Sequence, residues 1–163
     1  MDRIQRAFLK TPVGYLEITG SGKGIRSLFF LNFRVRTQRV PSDLKLCVGQ
    51  LEAYFSGLRK TFDLELDLQG TDFQMRVWKE VQKIPYGSAI SYHELARRTG
   101  NDNAFRAVGG ANGRNPISII IPCHRVVGHD GKLVGYAGGL WRKKWLLEHE
   151  HAFLQRDLFY MKL

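Results

Sequence analysis

The tetrapeptide Pro122-Cys123-His124-Arg125 sets a thiol beside an imidazole, directly after the apolar run Ile117–Ile121. A thiolate is a strong nucleophile, and a histidine within reach, directly or through one water, can take the thiol's proton. Adjacent side chains seldom point the same way, so a relay through water is the geometry to expect. The run 117–121 reads as a buried strand that ends at Pro122 and delivers Cys123 at a fixed edge. Cys47, the other of two cysteines, lies on an apolar helical stripe and reads as a small buried hydrophobe. An isolated Cys-His pair is more often structural than catalytic, so the dipeptide alone assigns nothing.

Positioning such a cysteine requires elements on both sides. Thr71-Asp72-Phe73-Gln74 has the form of a capping box and opens a helix with Phe73, Val77, Val81 and Ile84 on one face. Ile84-Pro85-Tyr86-Gly87 stops it. Ser91-Tyr92-His93-Glu94 repeats the capping pattern and starts a short helix that runs to Thr99-Gly100. Asn101-Asp102-Asn103 offers a turn and an N-cap for a third helix, Ala104–Asn112, closed by Gly113. Two short helices across so brief a turn, the first carrying Arg97 and Arg98, suggest a DNA-binding helix-turn-helix.

The second of these helices is the informative one. Its interior, Ala107-Val108-Gly109-Gly110-Ala111, contains two glycines, each costing about 1 kcal/mol relative to alanine. Close approach of another backbone would explain them. Reading base edges needs Arg, Asn, Gln or Glu, and this helix offers mainly Arg106. It can press on DNA of any sequence but is poorly equipped to select one site.

Residues 1–70 read as a separate unit. Tyr15–Thr19 and Ile25–Leu31 flank the turn Gly20-Ser21-Gly22-Lys23-Gly24 as a hairpin, an amphipathic helix runs from Asp43 towards Gly57, and Asp63–Gln69 suits a further short strand. In the whole chain of 163 residues, 25 Lys and Arg against 15 Asp and Glu give a net charge of +10, which favours a polyanionic partner. No stretch reaches the roughly 18–20 apolar residues of a membrane span. The start, Met1-Asp2-Arg3-Ile4-Gln5-Arg6, lacks the apolar core of a signal peptide. No C-x-x-C or H-E-x-x-H pair offers a metal a foothold, and His149 and His151 would diverge on a helix. A reduced, metal-free, cytoplasmic chain is expected, or a nuclear one in a eukaryote.

Four blocks, IPYGSAISYHELA, RAVGGANGRNPISIIIPCHRVV, GYAGGL and KKWLLEHE, occur between about Phe73 and Glu150. In order and spacing they resemble the bacterial-type O6-alkylguanine-DNA alkyltransferases, for which Pro-Cys-His-Arg is among the most specific signatures. The resemblance implies an α+β fold, with an N-terminal α/β domain over 1–70 built on an antiparallel, ribonuclease H-like sheet. A mostly helical winged-helix domain over 71–163 would bind DNA and accept the alkyl group. It also implies single-turnover, irreversible transfer from O6-alkylguanine, with O4-alkylthymine as a second substrate candidate, and no cofactor.

The same resemblance assigns roles. Cys123 would be the nucleophile, His124 its water-linked base, Glu150 the orienter of that base, and Asn115 a hinge between the recognition helix and the turn beneath the site. Tyr92 would assist the departing purine at N3. Val126, by its carbonyl, and Tyr136, Ala137 and Gly138 would shape the base pocket, with the Ala137 N–H directed at O6. Tyr92, His93, Asn101, Ala104, Arg106, Ala107 and Gly109 would contact double-stranded DNA in its minor groove, Arg106 filling the stack left by an extruded base. The protein is expected to act as a monomer. Phe105 stands where the family usually carries a small residue, and the first domain lacks the Cys and His zinc ligands of some relatives. The rival readings are a non-catalytic lesion binder, a winged-helix regulator and a cysteine hydrolase.

Overall fold

The computed structural model describes the backbone of residues 3–36 and 38–161, and side chains as far as His151. The chain is α+β and divides into two units: residues 1–69 with Pro116–Ile120, and residues 70–115 with 121–163. The excursion of Pro116–Ile120 into the first unit was not expected from the sequence, which placed all of 71–163 together.

In the first unit, β1 (Gln5–Thr11), β2 (Gly14–Ser21) and β3 (Gly24–Leu31) form an antiparallel sheet in the order β1-β2-β3. Leu16 and Ile18, two apart on β2, bury one face, as strand alternation requires. A 3-10 turn (Ser42–Leu44) and α1 (Lys45–Phe55) supply Leu44, Cys47, Val48, Leu51 and Tyr54 to the same core. The outer edge of β3 is covered twice. Ile25 exchanges bonds with the Glu65–Asp67 backbone, and Leu28 with Pro116 and Ser118, at 2.8–3.1 Å. Covering an edge in this way leaves fewer free N–H and C=O groups for another chain to pair with. Gly24 sits at φ +136° where any side chain would run into the Glu65 carbonyl, so the crossing requires glycine.

Two expected strands are therefore shorter than predicted. Asp63–Gln69 contributes only the bridge Leu66–Ile25, and 117–121 only Ile117–Leu28. The second cannot extend because Ile119 turns the chain at φ +71°, and Ile120 N–H bonds back to Ser118 O at 2.8 Å. Cys123 is accordingly carried on a 3-10 turn (Cys123–Arg125), not at a strand edge.

The second unit holds α2 (Asp72–Gln82), β4 (Ile90–Ser91), α3 (Tyr92–Thr99), α4 (Phe105–Gly113), β5 (Val126–Val127) and α5 (Leu140–Met161). Thr71 and Gln74 form the reciprocal capping box at α2, a feature worth about 1 kcal/mol. Val77, Trp78 and Val81 bury the α2 stripe, and the indole N–H of Trp78 donates to Ala111 O at 2.8 Å, tying α2 to the end of α4. Ser91 caps α3, but the reciprocal half of its expected box is missing. Glu94 instead binds Arg97 and Arg98, which hold its carboxyl down to about 2.

The helix-turn-helix is α3 and α4, with Gly100 in the left-handed region between them. The expected Asn103 cap is not used. Asn101 Oδ1 accepts from Asn103 N, and α4 begins one residue later with Ala104 as its N-cap. Gly113 lies inside the last turn of α4, and Arg114 ends it. β4 and β5 pair in parallel, Ile90 with Val126.

Candidate active site and nucleic-acid interface

Over two turns, the buried stripe of α5 carries two charged groups where a surface helix normally buries apolar ones. Lys143, Leu146 and Glu150 repeat at i, i+3 and i+7, and all are fully buried. Glu150 faces the Cys123–Arg125 turn. His124 Nε2 lies 2.8 Å from Glu150 Oε1, and Arg125 reaches the same carboxylate through Nη2 at 2.7 Å and Nε at 2.9 Å. Arg125 Nη1 donates to the Ile84 carbonyl at 2.7 Å.

Arg125 explains why a carboxylate can sit there ionised. Burial alone would raise Glu150, but His124 and the Arg125 guanidinium outweigh it and hold the carboxyl far below its usual range. Burial pushes His124 the other way, below its ordinary value, despite Glu150. The resting pair is then a carboxylate balanced by Arg125, beside a neutral imidazole that donates from Nε2. In that tautomer Nδ1 carries the lone pair, and this buried nitrogen has no protein hydrogen-bond partner. It is a base waiting for a proton.

Two asparagines fix the thiol's turn. Asn115 Nδ2 donates to Ile121 O at 2.7 Å, joining the point where the chain leaves this unit to the point where it returns. Asn112 Nδ2 donates to Cys123 O at 3.3 Å. Burial raises the Cys123 thiol above its ordinary value, while a hydrogen bond with Asn115 and the Lys143 ammonium lower it. With burial the largest influence, the resting group is a thiol.

Tyr92 opens α3 and its hydroxyl donates to Val134 O at 3.2 Å. Burial raises its pKa; an Asn112 hydrogen bond lowers it, and Cys123 raises it. The loop of Tyr136, Ala137 and Gly138 is fastened by α5: Lys143 Nζ donates to Val134 O at 2.9 Å, and Arg142 Nη1 to Gly138 O at 3.0 Å. Burial brings Lys143 down to about 8. Val126 is buried in β5 beside the cysteine turn.

Cys123, His124, Glu150, Asn115 and Tyr92 thus share one connected site, and the sequence reading overlooked three members of it. Arg125 lay in plain view in the Pro-Cys-His-Arg signature, Lys143 was marked by the α5 periodicity, and Asn112 sits four residues after buried Val108 on α4.

The remaining predicted residues lie on an outer surface. His93, Asn101, Arg106 and Ala107 are exposed, and Ala104 and Gly109 half-buried. The glycines of α4 are not explained by an approaching protein backbone. A side chain at Gly109 would meet only the Tyr92 ring, at an ordinary 3.6 Å, and one at Gly110 would meet nothing. Among the described residues, no group of three or more His, Cys, Asp or Glu could hold a metal ion, and no helix is long and apolar enough to cross a membrane.

Comparison with known proteins gives a consistent result. Residues 72–152 match the family model for the 6-O-methylguanine DNA methyltransferase DNA-binding domain, and residues 4–68 that for its ribonuclease-like domain. The chain is 48% identical to a methylated-DNA–protein-cysteine methyltransferase of Methanosarcina barkeri, over 90% of this chain and 97% of that one. It is also 48% identical to one of Mycobacterium bovis, over 92% and 94%. The crystal structure of the Mycobacterium tuberculosis O6-methylguanine methyltransferase matches with a TM-score of 0.83 at 46% identity, over 92% of this chain and 94% of that one. A structure of the M. tuberculosis protein in complex with DNA matches at 0.81 and 49% identity, over 90% and 92%.

Proposed function

The chain belongs to the 6-O-methylguanine DNA methyltransferase family and repairs DNA by alkyl transfer to a cysteine, and we propose that Cys123 is the acceptor and O6-alkylguanine the donor. The observation that carries this assignment is the buried chain Glu150–His124, with the imidazole Nδ1 unpartnered beside the thiol's own turn. The Cys123 proton passes through a water to His124 Nδ1, and the imidazolium is stabilised by Glu150. Sγ then attacks the alkyl carbon in line. The S–C bond forms as the C–O6 bond breaks, and the electron pair leaves with the purine oxygen. Tyr92 gives its proton to guanine N3, so the leaving group departs neutral.

The target oxygen lies in the base pair, so the nucleotide is extruded first, with Arg106 taking its place in the stack. The bare face of α4 at Ala107 and Gly110 suits the minor groove, whose degenerate code matches a helix with little to read. A thioether has no good leaving group, so each monomer reacts once, in whichever compartment holds the DNA: cytoplasm, or nucleus in a eukaryote.

Mass spectrometry after incubation with a duplex carrying one O6-methylguanine tests this. The expected result is one methyl group on Cys123 and one guanine restored per protein molecule. Methylation elsewhere, or turnover beyond one equivalent, contradicts the assignment.

A further inference from the structure

The feature of the DNA-facing surface that the proposed chemistry leaves unused is an aromatic pair. Phe105 is the first residue of α4 and remains 36% exposed. Its ring stacks on His93, the second residue of α3, with centroids 4.5 Å apart and planes inclined by 33°. The Arg106 guanidinium lies 6.0 Å from the Phe105 centroid. Beside the pair opens a cleft of about 310 Å³ lined by Tyr92, His93, Phe105, Gly109 and His129. That volume is at the lower end for small-molecule sites, enough for one planar ring system.

A single exposed phenylalanine is ordinary on a protein surface. This one differs because a second ring backs it, an arginine adjoins it, and Gly109, one turn on along α4, leaves the cleft beside it uncovered by a side chain. An apolar wall with an arginine beside it, on a chain of net charge +10, suits a nucleobase better than an aliphatic or an acidic group. Tyr92, the residue read as facing the extruded guanine, borders the same cleft, so the cleft opens along the lesion-bearing strand. We infer that the Phe105–His93 shelf binds the nucleobase next to the extruded nucleotide on that strand. Arg106 then fills the gap left by the lesion while Phe105 holds its neighbour, and duplex opening extends over two nucleotides. The inference rests on the alkyl-transfer reading and adds a base-binding site to it.

The test crosses protein variants with DNA variants. The second-order rate of Cys123 methylation is measured for wild type, Phe105→Ala, Phe105→Leu and Phe105→Trp. Four O6-methylguanine duplexes are used: one intact, and three with an abasic spacer on the 5′ side of the lesion, on its 3′ side, or opposite it. Base–aromatic stacking sets the expected loss for Ala and Leu on the intact duplex at about 5- to 150-fold, with Trp close to wild type. That loss should shrink to within about twofold when the contacted neighbour is the one removed. Because each variant is compared with itself across duplexes, a general loss of folded protein cancels. An equal loss on all four duplexes, no loss on any, or coupling only to the spacer opposite the lesion overturns the inference. A wild type that methylates no residue on any duplex overturns the alkyl-transfer reading instead.

Discussion

Cys47 and Cys123 are both buried, both free thiols, and both raised above their ordinary pKa by burial. In the first unit that is the whole account: Cys47 packs among Val48, Leu51 and Tyr54, nothing opposes desolvation, and the thiol is pushed up to about 12. In the second unit the same penalty is opposed by Asn115, by the Lys143 charge and by backbone hydrogen bonds, and the neighbouring residue carries a base without a proton. Burial therefore does not distinguish an inert thiol from a reactive one. What distinguishes them is whether the surroundings hold somewhere for the proton to go and a charge to stabilise what remains.

The largest effect expected breaks the pair apart outright. Cys123→Ala should abolish methyl transfer while Cys47→Ala keeps one equivalent per molecule, read by mass spectrometry on an O6-methylguanine duplex. Loss of transfer in both variants would mean that Cys47 is more than a packed, inert thiol.

Next come the groups that receive the proton. General-base contributions are typically 10²- to 10⁴-fold, so His124→Ala should slow transfer by about that range. Glu150→Gln should also slow it, and the double variant should be little worse than the worse single one, because linked members of one relay are not additive. Glu150→Gln also leaves Arg125 buried without its counter-charge, so its melting temperature should fall more than that of His124→Ala. Rapid-quench kinetics and thermal unfolding on the same preparations separate the two effects.

Lys143→Met should act more mildly. It removes a positive charge that favours the Cys123 thiolate, so the pH midpoint of methylation should move upward, by about one unit for a tenfold slower rate at fixed pH. An unmoved midpoint would leave Lys143 only its hydrogen bonds to the loop.

How much of this was readable beforehand follows from which interactions are local. Capping at Thr71 and Ser91, the β2–β3 hairpin and the α2 stripe depend on residues within a few positions, and each appears where the sequence pattern puts it. The first strand, Gln5–Thr11, escaped notice because only Ala7 is buried along it, leaving no clean alternation to read. The 117–121 run looked like a strand because five apolar-rich residues before a proline fit one. Its real conformation depends on β3, some ninety positions earlier, and on a left-handed isoleucine that no local rule anticipates. The site was legible where the Pro-Cys-His-Arg block carried it. Arg125, Lys143 and Asn112 were not singled out because charged and amide side chains are ordinarily exposed, and only the folded carboxylate and turn give them a reason to be buried.

The mildest change is expected at the inert thiol. Cys47 ionises near 8.5 when unfolded but near 12 when folded, so between those values the folded state holds more protons than the unfolded. Stability should then fall as pH rises through that window, and be fully present below it. One pH unit above the unfolded value, the loss from this residue is about 1.4 kcal/mol. Lys143 runs in the opposite direction over part of the same window: held down to about 8 when folded, it binds fewer protons than the unfolded lysine, and its share of stability rises with pH. The wild-type slope is consequently a sum of opposed terms, and only a difference isolates Cys47. Denaturant unfolding of wild type and Cys47→Ala at pH 7.5 and pH 9.5 supplies it. Cys47→Ala should be the less stable of the two at pH 7.5, through the lost sulfur contacts, and should recover about 1.4 kcal/mol relative to wild type at pH 9.5. An unchanged difference between the two pH values would mean that Cys47 ionises as readily folded as unfolded, and that its burial is not what keeps it inert.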